Sequence, residues 1–263
     1  MKVFSFRNFR VVFLLFILAF VAIYTQNQRL NTTSWYRAIE VVVYPINGDG
    51  SAATEAYINT LSKKHFIDID NFFIQGAKQY DLTVVRPIVT RLGSVVTTHP
   101  PSPPIDRNAI FQVMWWSMKL RYWAYKNTPD SKSNTDRIRL FVLYHQGQDN
   151  QALEHSLGLQ KGLIGIIHAY ARPKQTKQNA LIMAHEILHT VGASDKYDYR
   201  DNQPVYPEGY IKPDKKPLYP QRYCEIMAGR IPISMTQSSM PKDLRFCKVG
   251  ETTAKEINWV LSP

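Results

Sequence analysis

The sequence predicts a domain of the α+β class, arranged as an α/β-like sandwich in which a mixed sheet packs against helices. Two observations support this prediction. Segments with the apolar pattern of strands alternate with segments of helical periodicity along residues 38–191, and 44% of the 263 residues are hydrophobic. That composition is sufficient for a substantial buried core and is unlike that of a disordered chain.

The first part of the predicted sheet comes from two strands separated by a long helical segment. Apolar and β-branched residues predict a strand at residues 38–44, which the turn-forming residues 47–50 close. Helical periodicity extends over residues 53–80, with a break predicted near residues 66–69. A second strand is predicted at residues 81–89.

The second part of the sheet follows a proline-rich connection at residues 97–104. Residues 137–144 have the β-branched and aromatic composition of a third strand, and residues 162–168 predict a fourth. Strands that alternate with helices in this way form a sheet covered by helices.

An aromatic-rich helix is predicted at residues 107–126, and it contains Trp115, Trp116 and Trp123. Two locations are compatible with such a helix: against a lipid bilayer, or in the protein core. We favour the core, because lysine and arginine are mixed among the aromatic residues.

The N-terminal 30 residues differ in kind from the rest. Lys2, Arg7 and Arg10 precede residues 11–24, fourteen uncharged and almost entirely apolar residues. This length suits either the core of a signal peptide or a short membrane span. Because no small-x-small cleavage site follows, we predict an uncleaved signal anchor with a transmembrane helix at residues 1–30, followed by one domain at residues 31–263.

The basic residues before the apolar run predict a single-pass protein of the cell membrane, with a cytoplasmic N-terminus and a periplasmic or extracellular domain. A secreted protein is the alternative if the segment is cleaved. The net charge is +11, and residues 1–30 carry four of these positive charges and no acidic residue, which leaves +7 for the domain. Such a domain would be attracted to anionic lipid or to an acidic envelope polymer, or it is a solvated surface without a particular partner. No nucleic-acid-binding motif appears, so nucleic acid is not an expected partner.

The most specific signal in the chain is His185, Glu186 and His189, in the spacing His-Glu-x-x-His. On a helix the two histidines are one turn apart on the same face, so both imidazoles can reach one cation. Glu186 is placed to hold a water at the ion and to accept its proton. Thr176 or Asn179 is predicted to cap the start of this helix. The residues predicted to face the core are Ala184, Ile187, Leu188 and Val191.

A catalytic zinc site usually has three protein ligands and a water, so a third ligand is required. Gly192 allows the chain to turn with a positive φ, which ends the helix and brings Asp195 back toward the metal. The alternative third ligand is a glutamate supplied from further along the chain, either Glu208 or Glu225. We favour Asp195, because a sharp turn at Gly192 returns it to the two histidines.

The pattern His-Glu-x-x-His-x-x-Gly-x-x-Asp resembles that of the metzincin metalloproteases, in the snapalysin-type variant with aspartate as the third ligand. The resemblance covers residues 179–229 and implies a metzincin-like mixed sheet beside a zinc-binding active-site helix. In that family the last strand before the zinc helix typically lies antiparallel at the sheet edge and pairs with extended substrate.

The resemblance also implies a C-terminal subdomain with a methionine-containing turn, the Met turn, beneath the zinc. Met227, in residues 225–229, is the best match to this turn, and Met235 is a weaker one. The family often has tyrosine two residues after that methionine, whereas this chain has Gly229. A tyrosine that assists the transition state must therefore come from elsewhere or be absent.

The chain has two cysteines, Cys224 and Cys247, which bracket Met227. Because exported proteins can keep disulfides, we predict a bond between them, which would stabilise the fold by about 3 kcal/mol on the chain-entropy argument. Zinc ligation by the two thiols is the less favoured alternative, since the sequence lacks a Cys-x-x-Cys pair.

These features predict a membrane-anchored metallopeptidase that hydrolyses peptide bonds in protein or peptide substrates. Zn²⁺ would be bound by His185, His189 and Asp195, and Glu186 would act as the general base. One alternative is a zinc amidase acting on a non-protein envelope substrate, and another is a non-catalytic zinc-binding module. Glu186 argues against the latter, because a purely structural site does not require it.

Overall fold

A five-stranded mixed sheet forms the centre of the computed structural model of the protein. Its strands are β1 (Ile39–Asn47), β2 (Ile88–Leu92), β3 (Arg137–His145), β4 (Leu157–Leu159) and β5 (Ile164–Tyr170). The order across the sheet is β2–β1–β3–β5–β4, with β4 antiparallel to β5 and the other neighbouring pairs parallel. The structure describes residues 6–106, 109–128, 137–147, 156–159 and 163–260.

Helices accompany the sheet along the chain, which confirms the α+β class. They are α1 (Phe6–Thr33), α2 (Ala52–Thr60), α3 (Ile67–Gln79), α4 (Ile110–Lys126), α5 (Thr176–Thr190) and α6 (Glu251–Glu256). The helix predicted at residues 53–80 is divided into α2 and α3, with the break just before the predicted position. Ser51 caps α2 by accepting a hydrogen bond from the Thr54 N–H.

Each face of the sheet has its own hydrophobic core, because side chains alternate between the faces along a strand. In β1, Val41 and Val43 pack on the face covered by α3 and α5. Val42 and Tyr44 pack on the opposite face, which α4 covers. The result is a sheet between helical layers, and the candidate site lies toward the C-terminal end of α5.

Two predictions about the strands are wrong. The second strand begins at Ile88 instead of residue 81, because Asp81 adopts a positive φ of 50° and the chain turns before the strand starts. The antiparallel edge strand is β4, whereas the last strand before α5, β5, lies inside the sheet. With three residues, β4 is too short to show an alternating pattern in the sequence.

The aromatic-rich helix α4 packs on the hydrophobic core with one side only, so the prediction of a core helix is confirmed for that side and not for the other. Trp116, Leu120 and Ala124 are buried against the sheet, but Trp115 is 59% exposed. The mixture of cationic and aromatic residues did not reveal that aromatic side chains occupy both sides of the helix. The predicted start of this helix, residues 107–108, lies outside the described residues.

Among the residues that the structure describes, no helix is long and apolar enough to cross a membrane. The predictions of a transmembrane signal anchor and of a single-pass location in the cell membrane are therefore wrong. The physical reason is length: the apolar run at residues 11–24 has fourteen residues, whereas a span needs about 20. The basic residue Lys2 lies outside the described residues, which begin at residue 6.

The chain after α5 contains short pairs of strands before α6. β6 (Cys224–Glu225) pairs in parallel with β9 (Cys247–Lys248), and β7 (Ile231–Pro232) forms an antiparallel pair with β8 (Ser238–Ser239).

The predicted disulfide is wrong, because Cys224 and Cys247 are both free. They are direct partners in the β6–β9 pair and both are buried. Each thiol points to a backbone carbonyl: Cys224 donates to the Glu225 oxygen, and Cys247 faces the Asp243 oxygen. Burial raises the pKa of the Cys224 thiol.

Candidate active site

Helix α5 is fixed against the sheet at its first turns. The side chain of Asn179 donates to the Tyr170 carbonyl oxygen at 2.8 Å and accepts from the Tyr170 N–H at 3.0 Å. Asn179 therefore connects the helix to the end of β5, and neither it nor Thr176 caps the helix as predicted. The residues predicted to face the core are all buried: Ala184, Ile187, Leu188 and Val191.

The helix ends as the glycine predicts. Gly192 has a φ of 112°, and the Ala193 N–H donates back to the Leu188 carbonyl oxygen at 3.0 Å. A φ of 112° is far from the value of 50° at Asp81 and is readily adopted only by glycine, so the turn depends on this residue. The chain reverses here and brings Asp195 to the face of α5 that carries the two histidines.

Three ligand atoms converge at this point. The Nε2 atoms of His185 and His189 are 3.0 Å apart, and each lies 3.1 Å from Oδ1 of Asp195. Donor atoms that are about 2.0–2.1 Å from one tetrahedral zinc ion lie roughly 3.3 Å from each other. The triangle therefore has nearly the size that a single bound cation requires, and these residues form a group able to hold one.

The hydrogen bonds behind the triangle favour a cation at its centre. Nδ1 of His185 lies 3.0 Å from the Ile226 carbonyl oxygen, and Nδ1 of His189 lies 2.9 Å from that of Ala193. A carbonyl oxygen only accepts, so each neutral imidazole carries its proton on Nδ1 and presents a lone pair at Nε2. Two lone pairs and a carboxylate oxygen then face one another, an arrangement that a positive charge stabilises.

The pKa shifts of His185 and Asp195 also favour a positive charge between the ligand atoms. Burial opposes the charged form of His185, but Asp195 and Glu186 outweigh it and raise the pKa of His185. Burial also opposes ionisation of Asp195, yet the adjacent imidazoles of His185 and His189 and the hydrogen bond from Tyr199 hold the pKa of Asp195 well below its ordinary value. Asp195 is therefore ionised at neutral pH, which is the form that binds a metal ion.

Further contacts fix the loop that carries Asp195. The hydroxyl of Tyr199 donates to Oδ2 of Asp195 at 2.6 Å, which leaves Oδ1 for the histidines. The buried Lys196 ammonium donates to Glu256 at 2.8 Å, and Ser194 donates to the same carboxylate through its N–H and hydroxyl. The residues on either side of Asp195 are thus anchored to the C-terminal helix α6.

Glu186, the residue after His185 in α5, lies at the same site. Its side chain is buried, and its Oε2 atom has no hydrogen-bond partner. The backbone N–H of Gly158 is hydrogen-bonded to the carboxyl group, while burial raises the pKa of Glu186. A buried carboxyl oxygen without a partner, beside three ligand atoms, is suited to accept a proton from a water bound there.

The turn at residues 225–229 lies beneath the histidines. The N–H groups of Ala228 and Gly229 donate to the Glu225 carbonyl oxygen, and Met227 is fully buried in the core that contains α5. Ile226, between Glu225 and Met227, supplies the carbonyl oxygen that orients His185. Met235 is 84% exposed, so it does not lie beneath the site.

Neither glutamate considered as a third ligand belongs to the group. Glu208 is exposed, and Glu225 is buried below the turn. The Glu225 carboxylate accepts hydrogen bonds from the N–H groups of Ala228 and Gly250 and from the Thr253 hydroxyl. Its oxygens hold the turn together and are not available to the histidines.

Three residues near the site were not singled out from the sequence. A Cβ atom at Gly158 would lie 2.6 Å from Cβ of His189 and 2.7 Å from the Glu186 carbonyl oxygen, so a side chain does not fit between β4 and α5. Tyr197 and Tyr199 follow Asp195, and their rings are in edge contact with centroids 5.1 Å apart. Burial, together with Asp195 and Glu186, raises the pKa of Tyr197, which therefore stays protonated. The two tyrosines were visible as aromatic residues next to the ligand, but nothing in the sequence signals the role of Gly158.

Comparison of the chain with protein-family models and with curated proteins finds no match.

Proposed function

We propose that this protein is a zinc-dependent metallopeptidase of the metzincin type, with His185, His189 and Asp195 as the ligands of Zn²⁺. The observation that carries the proposal is the convergence of three ligand atoms within 3.1 Å of one another, beside the partnerless oxygen of Glu186. The turn at Gly192 that brings Asp195 to the histidines and the buried Met227 support the metzincin assignment.

Zinc bound by these residues would polarise the scissile carbonyl and lower the pKa of a water toward neutrality. Glu186 accepts the proton of the attacking water at Oε2 and returns it to the leaving amine. Its burial favours the first step, because a raised pKa makes the carboxylate a better proton acceptor.

The tyrosine that is missing at position 229 has a replacement in Tyr197. Burial and the nearby charges of Asp195 and Glu186 raise the pKa of Tyr197, so its hydroxyl stays protonated and is able to donate a hydrogen bond to the substrate carbonyl oxygen as negative charge develops. An extended peptide would lie along β4, whose outer edge borders the site through Gly158.

The test uses Glu186→Gln in the full chain, with Glu208→Gln as a matched control at an exposed glutamate. Both variants and the wild type are analysed for zinc content and for cleavage of a peptide library. We expect about one zinc per chain in all three, and a loss of cleavage by about 10²–10⁴-fold only in Glu186→Gln. Cleavage by Glu186→Gln within tenfold of the wild type would contradict the mechanism. Wild-type protein that binds zinc but cuts no peptide would contradict the metallopeptidase assignment.

A further inference from the structure

The side of α4 that points away from the sheet is apolar along its whole length except for Arg121, which lies between Ile110 and Met114 around the helix. We refer to it as the outer face of α4, and its residues are Ile110, Phe111, Met114, Trp115, Met118, Tyr122 and Tyr125. At 3.6 residues per turn these side chains fall within an arc of about 140°. Phe111 is 86% exposed, and every other member is exposed by more than half. A contiguous apolar surface of this kind marks a contact with another molecule.

The outer face is not required for the packing of the helix. The opposite side of α4 is held by Trp116, Leu120 and Ala124, which are buried against the sheet. The indole N–H of Trp116 also donates to the Pro101 carbonyl oxygen at 2.8 Å. Because α4 is already fixed from one side, its seven outer residues are presented on a rigid surface.

Cationic residues accompany this surface, and acidic ones are missing from the helix. Residues 110–126 contain Lys119, Arg121 and Lys126 and no aspartate or glutamate. The ammonium of Lys119 lies 5.4 Å from the Trp115 ring centre, and that of Lys126 lies 5.5 Å from the Tyr122 ring centre. Both lysines border the apolar arc, so their charges are displayed at its rim.

We propose that the outer face of α4 docks on the surface of an anionic lipid bilayer, with the helix in the interface and its axis parallel to the membrane. Tryptophan, tyrosine and lysine are the side chains suited to the boundary between headgroups and acyl chains. The cationic rim is complementary to anionic headgroups, whereas it would repel the same face of a second copy of this chain. Docking of this kind requires no helix that crosses the bilayer, and it is independent of any zinc chemistry.

Sedimentation with vesicles tests the proposal on the full chain. The vesicles contain either phosphatidylcholine alone or phosphatidylcholine mixed with phosphatidylglycerol. We expect at least tenfold tighter partitioning to the anionic vesicles, weakened by added salt. The double variants Phe111→Ser/Trp115→Ser and Lys119→Glu/Lys126→Glu should each lose at least tenfold in partitioning. All proteins carry the same α1, so these differences report on α4.

Matched controls alter exposed residues elsewhere. Val85→Ser/Met235→Ser removes two exposed apolar side chains, and Lys63→Glu/Lys64→Glu reverses two exposed charges. Both should bind anionic vesicles within twofold of the wild type. Equal binding by the α4 variants and the wild type, or no binding by the wild type, would overturn the proposal. So would a dimer in vesicle-free solution that Phe111→Ser/Trp115→Ser abolishes, because a second copy would then cover the face.

A positional readout uses Trp115, the exposed tryptophan at the lysine-bordered edge of the face. Brominated phosphatidylglycerol in the vesicles should quench tryptophan fluorescence of the wild-type protein. Trp115→Phe should retain binding, because phenylalanine is also apolar, but lose most of the quenching. Trp259→Phe removes a buried tryptophan and should leave the quenching intact. Quenching that persists in Trp115→Phe would show that α4 is not the docking surface.

Discussion

Helices α4 and α5 pack on opposite faces of one sheet, and they differ in what their remaining sides present. In α5, nine of 15 residues are buried, and the side chains of His185 and His189 converge on one point with Asp195. In α4, three of 17 residues are buried, and an apolar face is left over. The comparison shows that a helix packed on most sides, such as α5, can hold ligand side chains in fixed positions. A helix packed on one side, such as α4, leaves a face that is free to contact another molecule.

The largest expected effect concerns the ligand that α5 receives from the loop. Asp195→Ala should lower zinc affinity by more than a hundredfold, because even residues that only orient metal ligands contribute about 10–100-fold. Competition with a chelator of known affinity provides the measurement. Glu208→Ala, at an exposed glutamate outside the group, should leave the affinity unchanged. Comparable losses of zinc affinity in both variants would contradict the assignment of Asp195 as a zinc ligand.

The inner and outer sides of α4 should respond very differently to truncation. Leu120→Ala removes a fully buried side chain and should lower the free energy of unfolding by about 2–5 kcal/mol. Met118→Ala, two residues earlier on the outer face, should change it by no more than about 0.5 kcal/mol. Urea denaturation measures both. A large loss in Met118→Ala would show that the outer face is packed against something within the protein.

The contact between β4 and α5 depends on the missing side chain of Gly158. Gly158→Ala places a methyl group within 2.7 Å of the Glu186 carbonyl oxygen and of Cβ of His189, so the strand or the helix must shift. We expect a loss of about 1–3 kcal/mol in the free energy of unfolding, as for other overpacked positions. A variant with unchanged stability and unchanged zinc affinity would show that the two elements are not in tight contact.

The smallest effect concerns the hydroxyl that holds Asp195. Tyr199→Phe removes the donor to Oδ2 and should lower zinc affinity by about tenfold, the lower end of the range for residues that orient a ligand, since Tyr199 is itself exposed. The stability of the zinc-free protein should not change, because the ring is retained. A loss of stability without a loss of zinc affinity would assign Tyr199 a structural role instead.

Local sequence patterns predicted the ligands and the buried face of α5, but they did not predict which face of α4 is buried. The spacing of His185 and His189, the glycine at 192 and the position of Asp195 are short-range features, and the structure brings all three ligand atoms together as predicted. The burial of Ala184, Ile187, Leu188 and Val191 follows from helical periodicity in the same way. In α4 the same periodicity places aromatic residues on both sides, so the sequence did not indicate which side faces the sheet.

Other features depend on contacts between distant segments, and these were decided by the tertiary structure alone. The carbonyl oxygen of Ile226 sets the orientation of His185, and Glu256 reaches back to Ser194 and Lys196. Cys224 and Cys247 are neighbours without a bond, and each thiol is directed at a carbonyl oxygen. The sequence by itself therefore determined which residues could bind a metal, since ligand spacing along a helix is a local property. Only the packing of sheet, helices and loops decided how those residues are held and which face of α4 remains exposed, because both depend on residues far apart in the chain.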